Sequence, residues 1–401
     1  DTYQIECAGG EPSSWSHRGV WDTSSIWPTS NTDSIGRGYD FMLSDYGIRF
    51  FSTNYNSHFQ YGLIRHDGTT VGVNTYSNSA NFDYWSLTEQ NNIVYITDEG
   101  GFSRAADSNG TLSVTHSGNI LTSTTSESTA ISKEGDMVVR WYEGSGGPSI
   151  VGWYLNGSTF QVSVPEGLTA SSNHHGQVAF GPNGRLHILM VNLSSSPVGF
   201  YHYYADIGDD LSGSTSVEWS NPYLVMERNQ SSAWSSGAQH SATEDHTADL
   251  HMADDGTLYA AMYNQTDLHF STFDGTSWDT EVLASSTGKN EGVVVATNST
   301  GVPHVGWIDH DNDRLMLSYK EGGAWTNEQV WQSSGWDESG GVPTLSYARL
   351  SLRFDRQDDP FLMSIDANNS DSAILHHKGT LLDNSYIFEP TDSNGDGICD
   401  T

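Results

Sequence analysis

Seven times along this chain of 401 residues a short apolar run ends in a turn and a second apolar run follows in the same phase. The turns fall at Asp45-Tyr46-Gly47, Gln90-Asn91-Asn92, Lys133-Glu134-Gly135, Pro182-Asn183-Gly184, Asp254-Asp255-Gly256, Ser299-Thr300-Gly301 and Gln357-Asp358-Asp359. A repeat of roughly 45 residues with about four strands marks propeller blades. The expected fold is therefore all-β: a seven-bladed β-propeller with four-stranded antiparallel blades. A lead and ring-closing segment is expected over 1–30, the propeller over 31–390, and a separate tail over 391–401.

The fifth repeat shows the pattern most openly. Segments 247–252, 258–263, 268–273 and 278–283 alternate as strands, and Asp274-Gly275 is a strong hairpin signal between the last two. The seventh repeat is read the same way, with strands at 361–365 and 373–377 and an outer strand at 381–388. Aromatic residues, with 13 Trp, 19 Tyr and 14 Phe, supply much of the volume that thin sheets need for a core.

The net charge of −34 arises from 50 Asp+Glu against 16 Lys+Arg. Such a surface repels nucleic acid and anionic membranes, so neither is expected as a partner. No run approaches the roughly 20 apolar residues needed to cross a bilayer as a helix, so no membrane insertion is expected. Cys7 and Cys399 stand near the two ends. In a closed ring the first and last blades are neighbours, so a ring-closing disulfide is geometrically natural, with two free thiols as the other reading. Acidity, scarce lysine and terminal cysteines point to an extracellular or cell-surface setting.

In a propeller each inner strand starts at the mouth of the central channel. Stepping back ten residues from each turn gives Arg37, Asn81, Thr125, His174, His246, Glu291 and Ala348, with Arg349 beside the last. A histidine can take and give protons near neutral pH, and an arginine can neutralise an acid group on a sugar. His174 and His246 are thus the expected proton-handling residues, and Arg37 and Arg349 the expected anchors. His175 and Glu291 stand as substrate-binding residues. Two long connections, at about 209–245 and 332–347, carry Trp219, Tyr223, Trp234 and Trp336. Such connections would build walls around the mouth, and these four aromatics are the sort of flat surface on which sugar rings stack, Trp234 and Trp336 being the expected substrate contacts.

The turn-then-Trp pattern of Ser271-Thr272-Phe273-Asp274-Gly275-Thr276-Ser277-Trp278 resembles, in degenerate form, the repeats of sialidase-like propellers. The segment from Asn173-His174-His175 through His187 to Tyr201-His202-Tyr203-Tyr204 resembles secreted polysaccharide lyases of the ulvan-lyase type. That resemblance implies β-elimination on a uronate: a cation beside the carboxylate, and a His or Tyr that takes the C5 proton, which adds Tyr203 to the expected proton-handling residues and His187 to the substrate-binding ones. The expected activity is accordingly a polysaccharide lyase acting on an extracellular glycan. The other reading is a non-catalytic module for adhesion, glycan binding or surface assembly.

The tail Asp392-Ser393-Asn394-Gly395-Asp396-Gly397-Ile398-Cys399-Asp400 places oxygen ligands at alternate positions with a glycine at the sixth. A calcium loop needs that pattern, because Ca²⁺ takes six to eight oxygens and the chain must turn sharply. The segment is similar to a thrombospondin type 3 repeat. Asp392, Asn394, Asp396 and Asp400 are the expected Ca²⁺ ligands. Such repeats come in series, so further C-terminal repeats or a surface-layer partner are expected as well. Asp309-His310-Asp311-Asn312-Asp313 also alternates carboxylates, although a solvated hairpin tip is the default explanation, with metal binding the lesser reading.

Overall fold

A computed structural model describes the strands and many of their turns. The described residues are 15–19, 35–44, 47–54, 58–65, 70–77, 85–90, 93–98, 101–108, 111–117, 124–132, 134–144, 147–154, 158–166 and 168. In the second half they are 176–192, 197–208, 211–228, 247–264, 267–285, 287, 292–309, 311–312, 314–332, 350–355, 357–366 and 372–378.

The described strands pair into seven sheets, six of four strands and one of five. Their inner strands are Ile35–Ser44, Trp85–Gln90, Thr124–Ile131, Gly176–Phe180, Ala248–Met252, Val293–Thr297 and Ser351–Phe354. Each touches the next in that order, and the last touches the first, so the sheets stand in a closed circle around an axis. This is an all-β β-propeller. Every one of the seven recurring turns joins an inner strand to the second strand of its sheet.

Two features depart from a ring built throughout of four-stranded meanders. The outer strand of the last sheet is supplied by the start of the chain: Trp15–Gly19 pairs antiparallel with Ser372–Lys378, Ser16 opposite His377. The expected outer strand at 381–388 lies outside the described residues. In the third sheet, Gly213–Thr215 adds a fifth strand, parallel to Thr159–Val162. It lies in the excursion between Gly199–Asp206 and Tyr223–Glu227, the last two strands of the fourth sheet. Part of the expected loop at 209–245 is thus spent on two short strands.

In the fifth and sixth sheets burial is deepest on the second strand and falls toward the outer edge. In the sixth sheet the second strand, Pro303–Asp309, is buried at every position, whereas the outer strand, Ala324–Gln332, is mostly exposed. A strand covered on both faces by neighbouring sheets reads as a continuous apolar run, and an edge strand in water does not. The core is accordingly divided into slabs between sheets. Trp141, Ile150, Phe160, Ile188 and Tyr203 fill the slab between the third and fourth sheets, and Leu189, Phe200, Met262, Phe273 and Trp278 the next.

A candidate site in the central channel

All seven sheets contribute inner-strand residues to a cavity of about 530 Å³ on the axis. Two register positions carry its polar groups. Asp40, Ser128, Gln177, Asp249 and Ser351 stand four residues before the residue that closes the first turn, and His251 and Arg353 stand two residues before it. The earlier position ties neighbours together: the Val178 amide donates to Ser128 Oγ at 3.0 Å, and the Val295 amide to Asp249 Oδ2 at 2.8 Å.

The later position brings chemistry. Arg353 Nη2 lies 3.5 Å from Asp40 Oδ1, and its Nη1 donates to the Leu352 carbonyl at 3.0 Å. Asp40 is buried, and its Oδ1 also accepts the Phe41 amide at 2.8 Å. His251 Nε2 is 2.9 Å from Thr297 Oγ1. Burial pushes the His251 pKa down to about 4, and the Arg353 charge adds to that against the pull of Asp254. The imidazole is therefore neutral at pH 7, with a lone pair to offer, in the same channel as a guanidinium that can meet an acid group.

The residues expected at the mouth are distributed differently. His174, His175, His246, Glu291, Arg349, Trp234 and Trp336 lie outside the described residues, as do Cys7, Cys399 and the tail ligands Asp392, Asn394, Asp396 and Asp400. Arg37 lies on the first inner strand, of which only the backbone is described at that position. Tyr203 is on the third strand of the fourth sheet, buried in the slab facing the third sheet, where burial raises its hydroxyl pKa. It does not line the channel. Trp219 and Tyr223, expected on a wall of the mouth, are placed elsewhere too. The Trp219 indole donates to the Ser163 carbonyl at 2.6 Å, and Tyr223 sits on the outer strand of the fourth sheet. In the segment 309–313, the Asn312 amide bridges both Asp309 carboxylate oxygens at 3.0 and 2.8 Å, closing a hairpin tip.

His187 is buried on the second strand of the fourth sheet, away from the channel, in a chain of rings that sequence reading missed. The Trp278 indole N–H, from the fifth sheet, donates to His202 Nδ1 at 3.1 Å, and His202 Nε2 lies 3.0 Å from His187 Nδ1. Because an indole can only donate, His202 carries its proton on Nε2 and donates it onward to His187. Both histidines are held neutral: burial lowers His187 to about 4 with help from Arg185, and lowers His202 to about 3 with help from His187. The relay is a polar rivet between two sheets. The Trp278→Phe variant is expected to lose about 2 kcal/mol, because His202 Nδ1 would stay buried without a donor. A urea titration showing under about 0.5 kcal/mol of loss would remove the rivet from the account.

No family model matches the sequence, and no curated protein matches it. Solved structures do. Oligogalacturonate lyase from Vibrio parahaemolyticus superposes with a TM-score of 0.52 at 9% identity, covering 91% of this chain and 97% of that one. AofleA from Arthrobotrys oligospora gives 0.47 at 9% identity, over 71% of this chain and 79% of that one. A functionally unknown protein from Desulfotomaculum acetoxidans gives 0.46 at 12% identity, over 81% and 90%. At such identities a likeness speaks for architecture and not for chemistry. What the comparisons and the strand pairing establish together is the fold, an all-β β-propeller.

Proposed function

We propose that this protein, each of its seven sheets a blade, is an extracellular carbohydrate-active propeller. It would receive an acidic sugar in the channel and cleave beside it by β-elimination. The observation that carries the reading is that His251 and Arg353, from the inner strands of the fifth and last sheets, both line the channel at the same register position, the Arg353 charge being one cause that lowers the His251 pKa. A substrate carboxylate would draw Arg353 away from Asp40. Neutralising that charge removes one of the two causes that depress His251, so the base strengthens when substrate arrives. His251 would take the C5 proton and the electron pair would form the C4–C5 double bond. The C4–O bond would break with its electrons on the leaving oxygen, which takes a proton from water. The fold likeness to an oligogalacturonate lyase is consistent with this reading. Ca²⁺ at the Asp392–Asp400 tail and a Cys7–Cys399 bridge belong to the same proposal of a surface-exposed protein.

A second reading rests on a specific observation. Arg353 is the channel's guanidinium among the described residues, and it already has Asp40 and a carbonyl, while Asp249, Asp254 and Asp358 also line the cavity. Such a channel can hold a glycan without cutting it. To decide, uronate-containing polysaccharides are offered with calcium while the ultraviolet absorbance of unsaturated uronate is followed. The lyase reading expects a rise that falls about 100-fold or more in His251→Ala and in Arg353→Met. A flat trace, or turnover unchanged in both variants, gives the channel to binding alone.

A further inference from the structure

At the foot of the last sheet lies a cluster that the channel chemistry does not use. Asp355 closes the turn after the inner strand: its Oδ1 accepts the Gln357 and Asp359 amides, each at 2.9 Å. Its other oxygen, Oδ2, is buried and has no hydrogen-bond partner. Facing it, His377 on the third strand is fully buried, its ring tilted by 31° against Phe361 with centroids 4.0 Å apart, and neither ring nitrogen has a partner. The ligand atoms of Asp355, Asp359 and His377 lie within 4.8 Å of one another. Unpartnered buried polar atoms are costly and rare in native proteins, so three of them in one cluster call for a further partner.

The sixth sheet shows what the turn itself requires. There Asn298 stands in the same place, and its Oδ1 accepts the Thr300 and Val302 amides at 3.2 and 2.9 Å. One neutral oxygen is therefore enough to close this turn. The third-strand residue matching His377 is Tyr319, which stacks on His304. The last sheet alone of the two replaces a neutral turn-closer by a carboxylate and puts an imidazole beneath it. The turn is also held firmly. Asp358 adopts a φ of 66°, and its carboxylate accepts both the amide and the hydroxyl of Ser299 at 2.7 Å, strapping it to the neighbouring sheet.

We propose that Asp355 Oδ2, the Asp359 carboxylate and a His377 ring nitrogen hold one divalent transition-metal ion, Zn²⁺ or Mn²⁺. Imidazole together with carboxylate suits these ions, whereas Ca²⁺ takes oxygen alone. Asp359 is only partly buried, so water can complete the shell from its side. Without an ion the same groups are frustrated, since burial lifts the Asp355 carboxyl to about 7 and drops His377 to about 4. Two ligands come from the turn between the inner and second strands and the third from the strand on which the N-terminal strand closes the ring, so the ion would staple the closing sheet.

The test uses the untagged full chain, stripped with chelator and titrated with Zn²⁺ alone and Mn²⁺ alone by calorimetry at pH 7.5. One tight equivalent and a rise in melting temperature are expected. Asp355→Asn keeps the turn-closing oxygen and should fold normally by circular dichroism. It should weaken that equivalent by more than the roughly 10- to 100-fold that loss of a supporting group costs. His377→Gln should do the same, and Asp396→Ala in the tail should leave the equivalent in place. No uptake of either ion would overturn the proposal and leave a carboxylic acid facing a neutral imidazole. An equivalent bound unchanged by Asp355→Asn would overturn it too, because the ion would then sit elsewhere.

Discussion

Replacing Gly152 by alanine is expected to cost about 3 kcal/mol, a large share of what a domain can lose. The reason is a single ring. Gly152 is paired across the third sheet with Phe160, and the Phe160 ring lies flat over the glycine. A Cβ at residue 152 would stand 2.1 Å from Phe160 Cζ and 2.4 and 2.7 Å from the two Cε atoms, so the ring must leave. It has little room to do so. Phe160 is 3% exposed in the slab between the third and fourth sheets, and the Tyr154 ring is 5.1 Å away. Tyr154 is itself pinned, its hydroxyl accepting the Leu211 amide at 2.7 Å. Gly323 supplies the contrast: nothing lies within 4 Å of its would-be Cβ, and only its φ of +85° resists, worth about 1 kcal/mol. Urea titrations of both variants decide the matter. Equal losses at the two sites would mean that Phe160 is free to move. Gly152→Ala combined with Phe160→Leu should recover part of the deficit.

The sequence carried the order of the strands because the alternation of apolar residues is strongest where both faces of a strand are covered. Leu258–Asn264 and Pro360–Asp366 each begin within one residue of the positions read from pattern alone. Local pattern could not reveal pairing between distant segments. Trp15–Gly19 finds its partner more than 350 residues away, and three residues at 213–215 make a parallel pair too short to show a period. The channel was nearly legible. Counting back ten residues from each turn overshoots, because inner strands such as Ala248–Met252 and Ser351–Phe354 run only five and four residues. His251 and Arg353 lie five and four positions beyond His246 and Arg349, at the place where an inner strand breaks its apolar run with a polar side chain. Comparing alternate positions of the seven inner strands would have found them. The Trp278–His202–His187 relay had no such signal, since its members come from two sheets.

Acidification supplies the second large effect, and its sign follows from the buried histidines. His304 is 8% exposed, its Nδ1–H donates to the Val302 carbonyl at 2.9 Å, and Phe354 packs edge-on against its ring. Burial lowers its pKa from 6.5 to about 4. The unfolded chain therefore binds a proton at His304 from pH 6.5 downward, while the folded chain refuses it until near pH 4. Stability is fully present above pH 6.5 and is lost as pH falls through that window, by on the order of 3 kcal/mol at this one residue. The His187–His202 pair is depressed for the same reason and adds in the same direction. Asp355 works the other way in metal-free protein: its carboxyl, lifted to about 7, is relieved of a buried charge as pH drops. One carboxyl does not offset three imidazoles, so the urea midpoint should fall steeply between pH 6.5 and 4.5 and the chain should unfold in mild acid. His304→Phe keeps the ring stacking and removes one titrating group. Its midpoint should start slightly lower at pH 7, for want of the Val302 hydrogen bond, and then fall less steeply than the parent's. A parent midpoint that is flat across this window would mean that these histidines accept protons in the folded state, and with it the dry, neutral packing between the sheets would have to be given up.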